Sequence, residues 1–210
     1  MLTSSLVDPR AIGDWRPRLT LLQEILAVIW AVNILNWAIL GRAMDWLAIR
    51  PRTQVGLLGI VFAPLLHGDP THLFGNSLGF VVFGWMVLLY GEPVFWLVSG
   101  IVTLSSGLGV WLFGRGRVYA LTERQLYPIE LVHLGGSGVI FGYLGFLLFI
   151  SFFDRNPLSL ILSLTVGGFY WNLLPGILPK QLGISWEAHL FGFVGGILAA
   201  RLLPSIALNA

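Results

Sequence analysis

The chain has 210 residues, 56% of them hydrophobic and 10% charged, with a mean hydropathy of +0.83. Soluble domains carry about 25% charged residues, so this composition cannot cover a water-facing surface and lipid must be the solvent. A formal net charge of +2, a single lysine (Lys180) and no cysteine argue against a polybasic tail and a nucleic-acid partner, and exclude thiol catalysis, disulfides and Cys-ligated metals.

Residues 1–19 are polar, lack a cleavable signal pattern and read as a short tail leading into the first helix. Six segments then reach or approach the roughly 20 apolar residues needed to span a bilayer. They are 20–40, 72–90, 94–113, 136–153, 157–177 and 186–204. Polar and turn-forming residues separate them: Gly91-Glu92-Pro93, Asp154-Arg155-Asn156-Pro157, and the trio Pro175, Pro179 and Gly183. The expectation is an all-α integral membrane protein, with one six-helix domain over 20–204 and a C-terminal tail over 205–210. The apolar run at 56–66 is too short to span, ends near Pro64 and follows an amphipathic stretch with Trp46, Arg50 and Arg52. Residues 41–71 therefore read as a long loop lying partly in one leaflet.

Six spans alternate in direction, so the second, fourth and sixth start on the same side of the membrane. The unusual polar residues sit at those three starts: His72 and Asn76, then Ser137, then Glu187 and His189. Seven basic residues fall in loops on that side (Arg42, Arg50, Arg52, Arg115, Arg117, Arg124 and Lys180) and five on the other (Arg10, Arg16, Arg18, Arg155 and Arg201). By the positive-inside rule this thin margin places the site in the cytoplasm.

Ser137 stands in Gly135-Gly136-Ser137-Gly138, where a loop enters the fourth span. Glycines let the backbone turn sharply and another chain approach, and a helix start offers free N–H groups to an anion. A serine so placed suits acyl transfer; it equally suits a plain helix cap with packing glycines. His189 begins the sixth span, and an ionisable group at membrane depth is costly and often functional; a histidine reaching for the interface is the bland alternative. Small residues at Ala188, Gly192, Gly196 and Ala200 form one stripe, and Gly138, Gly142 and Gly145 form another. Two such stripes allow close helix packing, which would bring Ser137 and His189 to similar depth, as a nucleophile and its base require. His72 and Asn76, four apart on one helix face, can both donate to an oxyanion or can simply join two helices. Phe141, one turn after Ser137, can stack on the His189 ring or pack in the core. Glu187 points elsewhere and no intramembrane Asp is available, so a Ser–His dyad is the better reading than a triad. His67, Asp69 and His72 read more naturally as a turn than as metal ligands.

In these residues the chain resembles the rhomboid family of intramembrane serine proteases, prokaryotic type. His72-x-x-x-Asn76, Gly135-Gly136-Ser137-Gly138 with an aromatic at Phe141, and Ala188-His189-x-x-Gly192-x-x-x-Gly196 match the family's three motifs in order. The resemblance runs from about residue 20 to 204. It implies a water-filled cavity open to the outer face of a bacterial cytoplasmic membrane, which reverses the charge-based orientation. It implies Ser137 as nucleophile and His189 as base, with an oxyanion held by Asn76, His72 and the backbone at Gly136 and Ser137. It also implies transmembrane protein substrates and a mobile fifth span near Gly167 to Trp171. No cofactor or metal is expected. Two features depart from the family or stand unexplained. The Trp-Arg pair common in the first loop is replaced by Ile49-Arg50-Pro51-Arg52, which puts the anchoring of that loop in doubt, and residues 114–130 form a polar stretch without an assigned role. The competing functions are a rhomboid-like binder that does not cut, and a small transporter, whose polar residues should lie near midplane on broken helices.

Overall fold

The structure is a computed structural model describing residue 13 and residues 15–122, 125–154, 156–179 and 184–207. Most of the polar tail, Arg10, Arg124, Arg155, Lys180, Gly183 and residues 208–210 lie outside the described residues.

Among the described residues, six helices are long and apolar enough to cross a membrane. They are α1 (Arg16–Ala38), α3 (Pro70–Leu88), α4 (Glu92–Phe113), α5 (Ser137–Asp154), α6 (Pro157–Tyr170, continued by a 3-10 turn at Trp171–Ile177) and α7 (Trp186–Ala207). A shorter helix, α2 (Gln54–Phe62), lies between the first two spans. The starts follow local chemistry. Asp69 caps α3 by accepting from the His72 N–H at 2.9 Å, with Pro70 in the first turn, where its missing N–H costs nothing. Asn156 does the same for α6, accepting from Leu158 N–H at 2.8 Å ahead of Pro157. The expected spans are therefore present with shifted ends: α1 begins at Arg16, and the fifth span changes from α-helix to 3-10 helix at Trp171, ahead of Pro175.

Helix α5 is the hub. It packs against α3, α4, α6 and α7, and ten of its eighteen residues are buried, among them Tyr143, Phe146 and Leu147. A water-soluble bundle hides one apolar stripe per helix. Here α1 and α6 keep apolar outer faces, with Val28, Ile34, Leu160, Ile161 and Leu164 all more than half exposed, as lipid-facing helices require.

The two small-residue stripes meet. A Cβ added at Gly192 would lie 2.0 Å from the Gly138 carbonyl oxygen, and one at Gly196 would lie 1.9 Å from that of Gly142. The backbones of α5 and α7 are thus in direct contact, the arrangement that small-residue spacing favours where lipid offers no hydrophobic drive.

The long first loop is more ordered than its sequence suggested. It contains a 3-10 turn (Ala43–Leu47), α2 and a second 3-10 turn (Ala63–Leu65). Its α2 presents Val55, Leu57, Leu58 and Val61 outward, consistent with a partly membrane-embedded loop. The missing Trp-Arg pair is replaced by other bonds. Arg52 donates to the Leu112 and Gly114 carbonyls at 3.1 and 3.0 Å, and Trp111 Nε1 donates to the Thr53 carbonyl at 2.8 Å. The polar stretch at 114–130 contains an antiparallel hairpin, β1 (Arg117–Thr122) and β2 (Gln125–Glu130), which the sequence reading left unassigned. Its Val, Tyr, Thr and Ile residues carry the β-propensity that explains it.

Candidate active site

The three polar helix starts converge as the alternation of spans predicts. Ser137 is the first residue of α5. Its loop is held from two sides: Gly135 N–H donates to the Ala63 carbonyl at 2.9 Å, and Gly136 N–H donates to His67 Nε2 at 3.4 Å. Gly135 has φ +117°, and a Cβ there would lie 2.6 Å from the His72 ring. Both the backbone conformation and the close approach of His72 therefore require glycine at this position.

His189, on the first turn of α7, places Nε2 2.9 Å from Ser137 Oγ. Its Nδ1 lies 3.0 Å from the Gly176 carbonyl oxygen. A carbonyl can only accept, so Nδ1 carries the proton and Nε2 offers a lone pair to the serine hydroxyl. The Phe141 ring stacks on the imidazole with centroids 4.0 Å apart and planes 7° from parallel. His189 is 8% exposed, so its ring is held on both nitrogens and on one face.

Asn76 Nδ2 lies 3.2 Å from His72 Nε2, on the next turn of α3. One amide N–H of Asn76 goes to that nitrogen and the other remains to donate. Asn76, His72, Ser137 and His189 line one cavity of about 550 Å³, together with Arg115 and Leu134. The Gly136 N–H, expected among the oxyanion donors, is engaged with His67 in this state. Gly138, Gly192 and Gly196 do their work as the contact surface between α5 and α7.

Sequence reasoning missed three features. His67, expected to be a plain loop residue, is 1% exposed. Its backbone N–H donates to Asn33 Oδ1 at 2.8 Å, and its ring holds the glycine loop. Burial, helped by neighbouring His72, lowers its pKa to about 4, so it stays neutral in that role. The second feature is a clamp behind the α7 start. Arg115 Nε donates to the buried Glu187 carboxylate at 2.7 Å and Arg115 Nη2 to the Ile184 carbonyl at 3.0 Å, while His133 bridges Ser185 Oγ (2.7 Å) and the Arg115 carbonyl (2.9 Å). Glu187 thus points away from His189, as expected, and joins the two loops that flank the site. The third is the Gly176 carbonyl, which no side-chain pattern could announce. Asp69 and His67 are committed to the α3 cap and the glycine loop respectively.

The arrangement can deprotonate a serine beside a set of anion-binding donors. Comparisons with known proteins give the family. Residues 54–205 match the model of the Rhomboid domain. An uncharacterised protein of Mycobacterium tuberculosis is 35% identical over 189 residues, covering 89% of this chain and 75% of its own length. A Bacillus subtilis protein named "Putative rhomboid protease YdcA" is 30% identical over 66% of this chain and 63% of its own. A mimivirus protein with a rhomboid name is 25% identical over 72% of this chain and 78% of its own. With six membrane-length helices, the three motifs in order and a domain match over most of its length, this chain belongs to the rhomboid family of integral membrane proteins.

Proposed function

We propose that the protein is an intramembrane serine endopeptidase that cuts transmembrane proteins through Ser137 and His189. The single observation that carries this reading is the 2.9 Å contact between Ser137 Oγ and His189 Nε2 in a cavity also lined by His72 and Asn76. Both groups lie at helix starts, not at midplane, which favours peptidase over transporter chemistry. The presence of both at bonding distance favours it over a binder that does not cut.

In this mechanism His189 Nε2 takes the Ser137 proton as Oγ attacks the scissile carbonyl. The carbonyl oxygen becomes an oxyanion held by Asn76 and the Ser137 N–H at the α5 start, and by His72 once its Nε2 carries a proton in place of the Asn76 hydrogen bond; donors aimed at developing charge lower the barrier. The Gly136 N–H joins them once it leaves His67. The imidazolium returns its proton to the leaving amine, giving an acyl-enzyme on Ser137. Water, deprotonated by the same histidine, then attacks the acyl carbon, releasing the new carboxylate and restoring the hydroxyl. The cavity mouth faces the outer side of a bacterial cytoplasmic membrane, so substrates are helices that unwind near that interface. They enter past α6, whose outer face is exposed. Purified protein in liposomes should cut a transmembrane substrate, and Ser137→Ala should not. Equal cleavage by Ser137→Ala would remove the serine from the chemistry.

A further inference from the structure

A second cavity, of about 200 Å³, lies behind the glycine loop. It contains neither Ser137 nor His189; Asn76 and Ile140 form the partition it shares with the catalytic cavity. One end is closed by Pro64, Leu65, His67 and Gly136, the other by Phe95 and Trp96. Between them α3 offers Leu73, Ser77 and Phe80, and α4 offers Trp96, Ser99 and Thr103, residues three or four apart on one face of each helix. The cavity is therefore a slot that runs along the helix axes.

Its lining suits hydrocarbon. Ser77 Oγ accepts from Trp30 Nε1 at 3.0 Å and donates to the Leu73 carbonyl at 2.8 Å. Ser99 Oγ donates to the Phe95 carbonyl and meets the Tyr143 hydroxyl, both at 2.6 Å. A buried water needs about two to four polar partners, and these hydroxyls are already committed. The remaining wall is mostly aliphatic and aromatic, as in the apolar sites found between the helices of bundles. The slot is also narrow. Seven helical residues, the separation of Leu73 from Phe80, rise about 10 Å, so about 200 Å³ along that length gives a cross-section of ~20 Å², against ~80 Å² for an α-helix about 10 Å across. A single unbranched chain fits and a helix does not.

The slot opens sideways. Helix α1 packs on α3 and on the Ala63–Leu65 turn, whereas α4 packs on α7, α5, α2 and α3. Where the slot runs between α1 and α4, its lining residues Ile25, Ile29, Ser99 and Thr103 are partly exposed. Trp96 and Val61 beside them are 49% and 59% exposed. The outer faces around this opening carry exposed Val28, Leu97 and Leu104, so what meets it is the hydrocarbon of the bilayer.

We propose that this slot binds one acyl chain of a membrane lipid, laid along the helix axes between α1 and α4. The chain packs against the wall formed by Pro64 and Gly136, so the glycine loop faces the catalytic cavity on one side and bound lipid on the other. The site does not depend on the peptidase reading.

The full-length protein in phosphatidylcholine liposomes tests this, with a small fraction of the lipid carrying a diazirine midway along one acyl chain. After irradiation, mass spectrometry locates the modified residues. Leu73, Phe95 and Tyr143, each at most 1% exposed, are out of reach of the surrounding bilayer and should be labelled from the slot. Leu104, 53% exposed, reports ordinary lipid contact. Ile29→Trp and Thr103→Phe narrow the slot from opposite walls, so loss of fold in one, seen in a thermal melt, leaves the other. Each folded variant should lose most of the label on Leu73, Phe95 and Tyr143 and keep that on Leu104. Leu108→Phe, on the outward face of α4, should keep both. Wild-type labelling confined to outward residues such as Leu104 overturns the proposal, because the slot then holds no lipid chain. Inner labelling that persists in a folded narrowing variant at the wild-type ratio to Leu104 overturns it as well.

Discussion

Gly192→Ala adds one methyl group, far from any reacting atom, and should nevertheless disable the site. Its Cβ would sit 2.0 Å from the Gly138 carbonyl oxygen, where ordinary contact begins at 3.4 Å. The carbonyl belongs to the first turn of α5, one residue after Ser137, so no flexible side chain can absorb the clash. The two backbones must part by about 1.4 Å, the shortfall between those two distances. If α5 moves as a unit, the Ser137–His189 contact opens from 2.9 Å to about 4 Å, beyond any hydrogen bond. A misplacement of about 1 Å typically costs ~10²-fold in rate, and overpacking of this kind costs about 1–3 kcal/mol of stability. The assay is fluorophosphonate labelling of Ser137 in detergent, paired with a thermal melt. Gly100→Ala and Gly168→Ala serve as controls, because nothing lies within 4 Å of a Cβ at either position. Labelling of Gly192→Ala within twofold of wild type, with an unchanged melt, would show that the α5–α7 contact does not set the distance between nucleophile and base.

Asn76→Ala should lower kcat by about 10²–10³ with a smaller change in KM, as for other oxyanion donors; a pure KM effect would assign Asn76 to substrate positioning. Acidification should destabilise the fold through His67. Its folded pKa of about 4 lies below the ordinary value of 6.5, so the unfolded chain binds the extra proton between those values and stability is lost as pH falls through that window. The melting temperature should drop between pH 7 and pH 4.5, and His67→Gln should flatten the dependence; an equally steep fall in His67→Gln would place the titrating group elsewhere.

Much of the site was legible because its chemistry is written in side chains at helix starts. Ser137, His189, His72 and Asn76 are polar residues in apolar surroundings, and alternation of six spans puts them on one side. The glycine stripes announced the α5–α7 contact because small residues four apart have few other uses. Three kinds of feature stayed hidden. The Gly176 carbonyl acts through the backbone, and every residue has a carbonyl. The Arg115–Glu187 clamp joins residues 72 positions apart, a pairing that no local pattern encodes. His67 was read as a loop histidine because the groups that hold it, Asn33 on α1 and Gly136 in the glycine loop, lie 34 and 69 positions away. The hairpin at Arg117–Glu130 was masked by its charged and polar residues, although its β-branched and aromatic positions favour strand.

The central claim is that His189 activates Ser137. A serine hydroxyl is a weak nucleophile until a base takes its proton, and among the four histidines of the chain only His189 has a ring nitrogen at 2.9 Å from Ser137 Oγ. The most direct measurement is the rate of fluorophosphonate labelling, with the modified residue located by mass spectrometry and the rate followed across pH. Wild type should label at Ser137, at a rate that declines on the acid side as the imidazole takes a proton and can no longer accept one. His189→Ala should label at a rate lower by orders of magnitude and without that acid limb. Labelling of His189→Ala as fast as wild type would contradict the account, because Ser137 would then have a different proton acceptor.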